Sequence, residues 1–538
     1  MRPSRPRSTL ASTGDEQSSL LMAAPFGAVI AVYSLAYVFE MTVAWGLSSW
    51  QSLPPWYPIA AVSLVGALAI PTINRQAARF TSLVIDSCAA VAGKLDRSAW
   101  VFILSLALLL MFWLFRSQAL VYGDGFLISS AATQPPASPL VGDEMLKPLT
   151  VALFRVVDKI ARLFTITDVQ VWFSGFIAIG GVFGFWGIVR IAFLLSGEDR
   201  YRRTALIMVA LSSGATLLFF GHIEHYTWGM AAFLWLVGSM IRYVRGIQSA
   251  TPMLLWGMVA AAFHALYLPM LLLAVLLLLR RKSDNHRVML LGWTWQKFSI
   301  ALVVLSIAGA ITIQLAARER VAVPVWPSES NPYWSLSLGH LSDFANVLLI
   351  VSPLGLSLLL AAMLAGRPRS VPTDVGSQLL GIIATMTILI SFWIEPVLGA
   401  PRDWDLLAIF GFPLSLFGAN LAFTHLSTST RLSPSVPLSV VAAAVLLIPP
   451  VAENRDLHRA AIKLDRLLWV DPHYQTSYDK ASRAVSWGSI LHRNAAEDSL
   501  AAKYFQRRID ADSKDDPSWF NLGEIHMSAH RHDSAAAC

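Results

Sequence analysis

Four short stretches of this sequence carry side chains that could do chemistry, and each borders a long apolar run. The first opens Tyr122-Gly123-Asp124-Gly125 and closes Asp143-Glu144-Met145-Leu146-Lys147-Pro148-Leu149. A carboxylate between two glycines is open to approach from most directions, which suits a general base or a metal ligand; a plain Asx turn favours the same residues. The second, Gly221-His222-Ile223-Glu224-His225-Tyr226, packs three titratable side chains into one turn. His222 and His225 bracket Glu224 at a spacing compatible with zinc, although HxxH lacks a third ligand of matching spacing. The third closes His340-Leu341-Ser342-Asp343-Phe344-Ala345-Asn346, and the fourth reads Gly399-Ala400-Pro401-Arg402-Asp403-Trp404-Asp405. The planar fork of Arg402 matches phosphate oxygens, or else it pairs internally with Asp403 or Asp405.

The elements that must position these residues belong to a membrane. Of 538 residues, 55% are apolar and 14% charged, against roughly 25% charged in soluble domains. Apolar runs of about 17–25 residues, enough to cross a ~30 Å hydrocarbon core, recur from residue 22 to residue 452. The fold class is therefore all-α, a polytopic transmembrane helical bundle. Expected spans are 22–47, 57–73, 99–115, 170–194, 204–220, 226–244, 298–316, 343–364, 377–396, 405–424 and 434–452. The run 252–279 has basic flanks on both sides and is too short for two crossings of ~20 residues each. It reads as a hairpin of two short helices turning near His264 to Pro269, or alternatively as one long tilted helix that would invert every later loop. The resulting organisation is a tail, 1–21, two spans in 22–96, a membrane domain in 97–452, and a soluble helical segment in 453–538.

Basic residues fix the expected orientation, because short loops rich in Lys and Arg stay cytoplasmic. They are Arg2, Arg5 and Arg7; Arg75, Arg79, Lys94 and Arg97; Arg190, Arg200, Arg202 and Arg203; Arg242 and Arg245; Arg280, Arg281, Lys282 and Arg287; Arg367 and Arg369; and Arg431. The N-terminus is then cytoplasmic. Segments 116–169, 221–225, 317–342 and 397–404, together with the C-terminal tail, share the opposite face of an inner or plasma membrane. These loops account for the net charge of +7 and leave no case for nucleic acid as a partner. Cys88 and Cys538 stand too far apart for a CxxC pattern or a disulfide framework. The first apolar stretch is too long for a signal-peptide core and reads as a retained helix. His264 reads as a satisfied core histidine, and Glu40 stands inside the first expected span.

A span, a long outer loop with an acidic motif and an amphipathic stretch, and then spans enclosing a second short acidic loop make up residues 97–450. With Asp124 in Tyr122-Gly123-Asp124-Gly125 and Glu224 in Gly221-His222-Ile223-Glu224-His225-Tyr226, this region resembles the GT-C superfamily of integral membrane glycosyltransferases. The resemblance implies inverting transfer of a sugar from a polyprenyl-phosphate donor to an acceptor on the non-cytoplasmic side. Asp124 and Glu224 are the implied catalytic residues, with Asp124 as base or metal ligand. His222, His225, Arg402, Asp403, Lys147 and His340 are the candidate substrate-binding residues, with Arg402 on the carrier phosphate. A divalent cation, Mg or Mn, is expected on Asp124 and Glu224 if the reaction uses one. Many relatives carry paired acids where this sequence has the single Asp124, which leaves metal dependence open. No Gly-rich nucleotide loop precedes a helix, in agreement with a lipid-linked donor. A multi-span transporter and a non-catalytic scaffold presenting repeats are the competing classes.

Beyond residue 452 the composition becomes that of a soluble segment. Trp519, Leu522, Gly523, His526 and Ala535 follow the tetratricopeptide pattern, with His526 in the aromatic position. Ala501 and Phe505 repeat part of it about 34 residues earlier. About three repeats are normally needed for stability, so the expectation is either an array truncated at Cys538 or a tail that leans on the membrane domain. Similar tails on protein O-mannosyltransferase-like proteins imply a protein or glycan acceptor.

Overall fold

A backbone surrounded by hydrocarbon must satisfy its own N–H and C=O groups, and every element among the described residues is a helix. The structure is a computed structural model of the chain; it describes residues 10–41, 44–94, 96–118, 125, 128, 147–164, 168–281, 334–365, 374–394, 400, 403–425, 435–470, 488, 491–492, 497–511 and 513–538. Five helical stretches are long and apolar enough to cross a membrane: Arg97–Leu114, Gln170–Ser196, Val375–Trp393, Leu406–His425 and Ser435–Arg455. Two further candidates are bent pairs, Trp45–Ser52 with Trp56–Ala69 at 107° and Leu338–Val351 with Pro353–Leu364 at 99°. The membrane-capable set is thus five helices, or seven with the bent pairs.

Several expected spans prove shorter or broken. The helix read as 22–47 ends at Val38; Glu40 lies beyond it, exposed and in the left-handed region, rather than inside a span. The run 204–220 is an α-helix to Leu211 followed by a 3-10 turn over Gly214–Phe219. Its break is local chemistry: the Ser213 hydroxyl donates to the Val351 carbonyl, and its Oγ accepts from the Ala215 N–H, capping the new turn. The run 252–279 is two helices, Ala250–Phe263 and Leu268–Arg281, joined by a 3-10 turn at Ala265–Tyr267. They fold back on each other, and a Cβ at Gly257 would lie 3.6 Å from the Leu271 Cα. The expected span 298–316 lies outside the described residues.

The long-range hydrogen bonds divide the bundle into two polar ends. At the basic end, Arg245 pairs with Asp374 at 2.6 Å and also donates to the Leu194 carbonyl. There too Arg202 reaches Asn420 Oδ1 at 2.8 Å and Thr424 Oγ1 at 2.7 Å, and Arg200 pairs with Asp86 at 3.1 Å. At the other end, the Ser117 N–H donates to the Phe220 carbonyl at 2.7 Å and the Gln118 N–H to the Asn454 carbonyl at 2.9 Å. Gln170 donates to the Gln118 carbonyl at 3.3 Å. The helix Val169–Ser196 and the run Arg200–Phe220 therefore pass in opposite directions between these two ends.

Aspartate caps start several of these helices by accepting from otherwise orphaned N–H groups: Asp96, Asp168, Asp199 and Asp374. Burial pushes the Asp374 carboxyl up, but the Arg245 hydrogen bond and charge, with the Ser377 hydroxyl and N–H, outweigh it and hold it below the ordinary aspartate range. A group depressed on folding stabilises above its unfolded pKa and loses that contribution as pH falls through the folded value. Asp374→Ala should therefore cost about 0.5–2 kcal/mol near neutrality, the usual loss for an N-cap. Thermal melting in detergent should show the difference from wild type shrinking below about pH 4; a difference independent of pH would contradict this role.

The helix Pro353–Leu364 crosses Gly411–His425 at near backbone contact. The Ser352 and Ser415 hydroxyls bond across it at 2.8 Å, and a Cβ at Gly418 would lie 2.1 Å from the Gly355 carbonyl oxygen. Small residues permit this approach, as in other membrane helix pairs. In the tail, Asp498–Ala511, Asp516–Ser528 and His532–Ala537 follow in succession, with Ala501, Tyr504, Phe505, Leu522 and Ile525 buried.

Candidate functional site

The end of the bundle opposite the Arg245–Asp374 pair gathers the candidate residues. Gly221 starts it: its φ of +63° is left-handed, and an added Cβ would meet Arg116 Cβ at 3.0 Å and Ser174 Cβ at 3.1 Å. This turn reverses the chain after Phe220, and the Thr227 hydroxyl closes it by donating to the Leu218 carbonyl at 3.1 Å. His222 and Glu224 are thereby held in the interior, 2% and 1% exposed.

A second segment meets them. Asp405, 2% exposed, stands at the N-terminus of the 3-10 turn Leu406–Phe410 that leads into the helix Gly411–His425. One ligand atom from each of His222, Glu224 and Asp405 lies within 4.8 Å of the others. His222 Nε2 is 3.7 Å from Asp405 Oδ2, and the His222 ring stacks on Trp404 at 6.2 Å. On its other side His222 Nδ1 stands 3.5 Å from Ser117 Oγ, at the limit of hydrogen bonding. Among the described residues, His222 Nε2 and both Asp405 oxygens accept or donate no hydrogen bond. In so dry a place charges act strongly on one another. The arrangement can hold a cation, or it can set a carboxylate against an imidazole for proton transfer.

A second polar group adjoins the first. Lys147, His225 and His264 are all buried. Lys147 precedes the amphipathic helix Pro148–Leu163, whose Thr150 hydroxyl donates to the Phe263 carbonyl at 2.7 Å and so fastens that helix to the hairpin tip. His264 Nδ1 accepts the Leu266 N–H at 3.0 Å, and its ring lies 5.1 Å from Tyr226. Burial first, then the positive field of Lys147 and the nearby His264, pushes the His225 imidazole well below its ordinary range. His225 is accordingly neutral at physiological pH.

The candidate residues distribute unevenly. Glu224 and His222 come together, while Lys147 and His225 form the adjoining group. Asp403 is buried one residue from Trp404 but does not belong to the three-residue cluster. His340 packs instead against aromatic rings, 4.7 Å from Phe392 and 6.4 Å from Phe344. Asp124 and Arg402 lie outside the described residues, and with Asp124 so does the expected pairing of Asp124 with Glu224 on a cation. Asp405 is the functional candidate that sequence reasoning passed over, having treated it only as an internal partner for Arg402. An acid opening directly onto Leu406-Leu407-Ala408-Ile409-Phe410 was the signal available, since a carboxylate at a hydrocarbon edge needs a partner or a purpose.

Comparisons of the chain with protein-family models, with curated proteins and with solved structures gave no match.

Proposed function

We propose that this chain is an integral membrane glycosyltransferase that moves a sugar from a polyprenyl-phosphate carrier to an acceptor, with inversion. The observation that carries the reading is the convergence of the 221–225 turn with Asp405 into a buried acid and imidazole cluster at the end of the bundle opposite the Arg245–Asp374 pair. In the proposed step a carboxylate, Glu224 or Asp124, takes the proton of the acceptor. The acceptor atom attacks the anomeric carbon from the face opposite the phosphate. The bond from that carbon to the phosphate oxygen breaks, and its electron pair leaves with the carrier phosphate. Lys147 and Arg402 supply the positive charge that favours that departure.

The topology that goes with this reading is the eleven-span bundle with a hairpin at 252–279, the bent pairs each counting as a crossing. The basic end faces the cytoplasm, as short arginine-rich loops do. The tail then shares the face of the site, and as a tetratricopeptide-like array it would dock a protein or glycan acceptor near it.

The test is transfer itself. Purified chain in proteoliposomes, given polyprenyl-phosphate-linked sugars and a set of peptide and glycan acceptors, should release carrier phosphate and label an acceptor. The absence of transfer from every donor would overturn the reading. Movement of a solute across the vesicle wall would favour a transporter, for which the sharply bent helix pairs are the supporting feature.

A further inference from the structure

We infer that His222, Glu224 and Asp405 form a binding site for one divalent transition-metal ion, of the zinc or manganese class. Three observations carry it. The first is distance: ligands held at about 2.0–2.2 Å from one zinc ion can stand up to about 4.4 Å apart. The 3.7 Å between His222 Nε2 and Asp405 Oδ2 already fits, and the widest separation, at most 4.8 Å, closes with a shift of a few tenths of an ångström.

The second is charge. Two carboxylates and an imidazole, each no more than 2% exposed, share one small volume. Carboxylates removed from water need compensating positive charge. For Asp405, neither of whose oxygens has a hydrogen-bonding partner among the described residues, a bound cation supplies it. The third is orientation. His222 turns Nδ1 toward Ser117 Oγ at 3.5 Å and Nε2 toward Asp405 Oδ2 at 3.7 Å, so one ring nitrogen faces each. Neither His222 Nε2 nor the Asp405 carboxylate has a hydrogen-bonding partner among the described residues, and both are turned into the same small volume. Ser117 plays the part of the outer partner that orients a ligating histidine.

One imidazole and two carboxylates suit zinc or manganese better than calcium or magnesium, which favour all-oxygen sets. Three protein ligands leave a coordination position open, as in sites where a metal meets a substrate rather than only holding a fold. The inference rests on the proposed sugar transfer only for what the ion is used for; its occupancy is read without any sugar.

The experiment uses the full chain in detergent or nanodiscs, stripped with a chelator and titrated with Zn2+ or Mn2+. Retained metal is measured by elemental analysis after gel filtration, and bound Mn2+ by electron paramagnetic resonance. The wild type should hold an ion that Asp405→Asn and His222→Ala bind more than about 100-fold more weakly, and Ser117→Ala should weaken it about 10–100-fold. Histidines of the tail, such as His492 beside Asp498, can bind metal as well, but they are common to all the proteins compared. If Asp405→Asn does not fold, Asp405→Glu takes its place: binding weakened at least about ten-fold supports the site. Equal stoichiometry and affinity in the wild type and these variants, or no ion retained by the wild type, overturns the inference. Metal held without sugar transfer sinks the proposed reaction alone, and sugar transfer without metal sinks the metal site alone.

Discussion

Glu224→Gln should slow sugar transfer by about 10²–10⁴-fold, the range associated with loss of a positioned general base, while leaving the bundle intact. Glutamine has the shape of glutamate but neither takes a proton nor brings a negative charge to an ion, so the change removes the chemistry of the carboxylate, as base or as ligand, while keeping its packing. Packing matters here because Glu224 is 1% exposed and sits between Ile223, itself buried with Phe154 and Phe173, and the buried His225. The measurement is release of polyprenyl phosphate by reconstituted protein, with gel filtration and thermal melting of the same preparations to establish folding. A folded Glu224→Gln protein with wild-type transfer would remove Glu224 from the reaction.

The second large effect concerns the scaffold. Gly418→Ala should destabilise the bundle by about 3 kcal/mol, the upper part of the usual overpacking range. The reason is that its new methyl group meets backbone. It would lie 2.1 Å from the Gly355 carbonyl oxygen and 3.0 Å from the carbonyl carbon, and no rotamer change can relieve a clash with a neighbouring helix axis. The helices must separate, which also strains the hydroxyl pair Ser352–Ser415. Because Asp405 leads directly into the helix that carries Gly418, the displacement should reach the site and lower transfer as well. Gly66→Ala is the control. Nothing lies within 4 Å of its added Cβ, and it should be neutral or stabilising by up to about 1 kcal/mol. Thermal or detergent denaturation midpoints decide it; equal midpoints for Gly418→Ala and Gly66→Ala would contradict the close crossing.

How far the sequence reaches can be judged from particular elements. Apolar run length identified a helical membrane protein, because the cost of unsatisfied backbone in hydrocarbon leaves few alternatives. The basic flanks of 252–279 pointed to a turn near His264, and the helices on either side do pack back on each other. Breaks made by side chain and backbone chemistry were not legible in hydropathy. Ser213 ends one helix by bonding Val351, a residue 138 positions away, and Pro353 starts a new helix at a 99° bend. Both depend on partners that only the folded chain brings near. The site divides in the same way. His222 and Glu224 were visible because three titratable groups crowd one turn between apolar runs. Asp405 was not, because its role depends on a neighbour 183 positions earlier in the chain. His340 shows the converse, a histidine at a promising boundary that packs as an aromatic ring among Phe344 and Phe392.

The central claim is that the turn at 221–225 and the segment entering the helix at Gly411 make one centre rather than two. The most direct test is a double-mutant cycle in the transfer assay, comparing Glu224→Gln, Asp405→Asn and the two combined. Residues that act as a unit lose their effect together. If His222, Glu224 and Asp405 work as one cluster, the combined variant should be no slower than the slower single variant, within about three-fold. Losses that multiply, so that the double variant is slowed by the product of the two singles, would show two independent contributions and contradict the account.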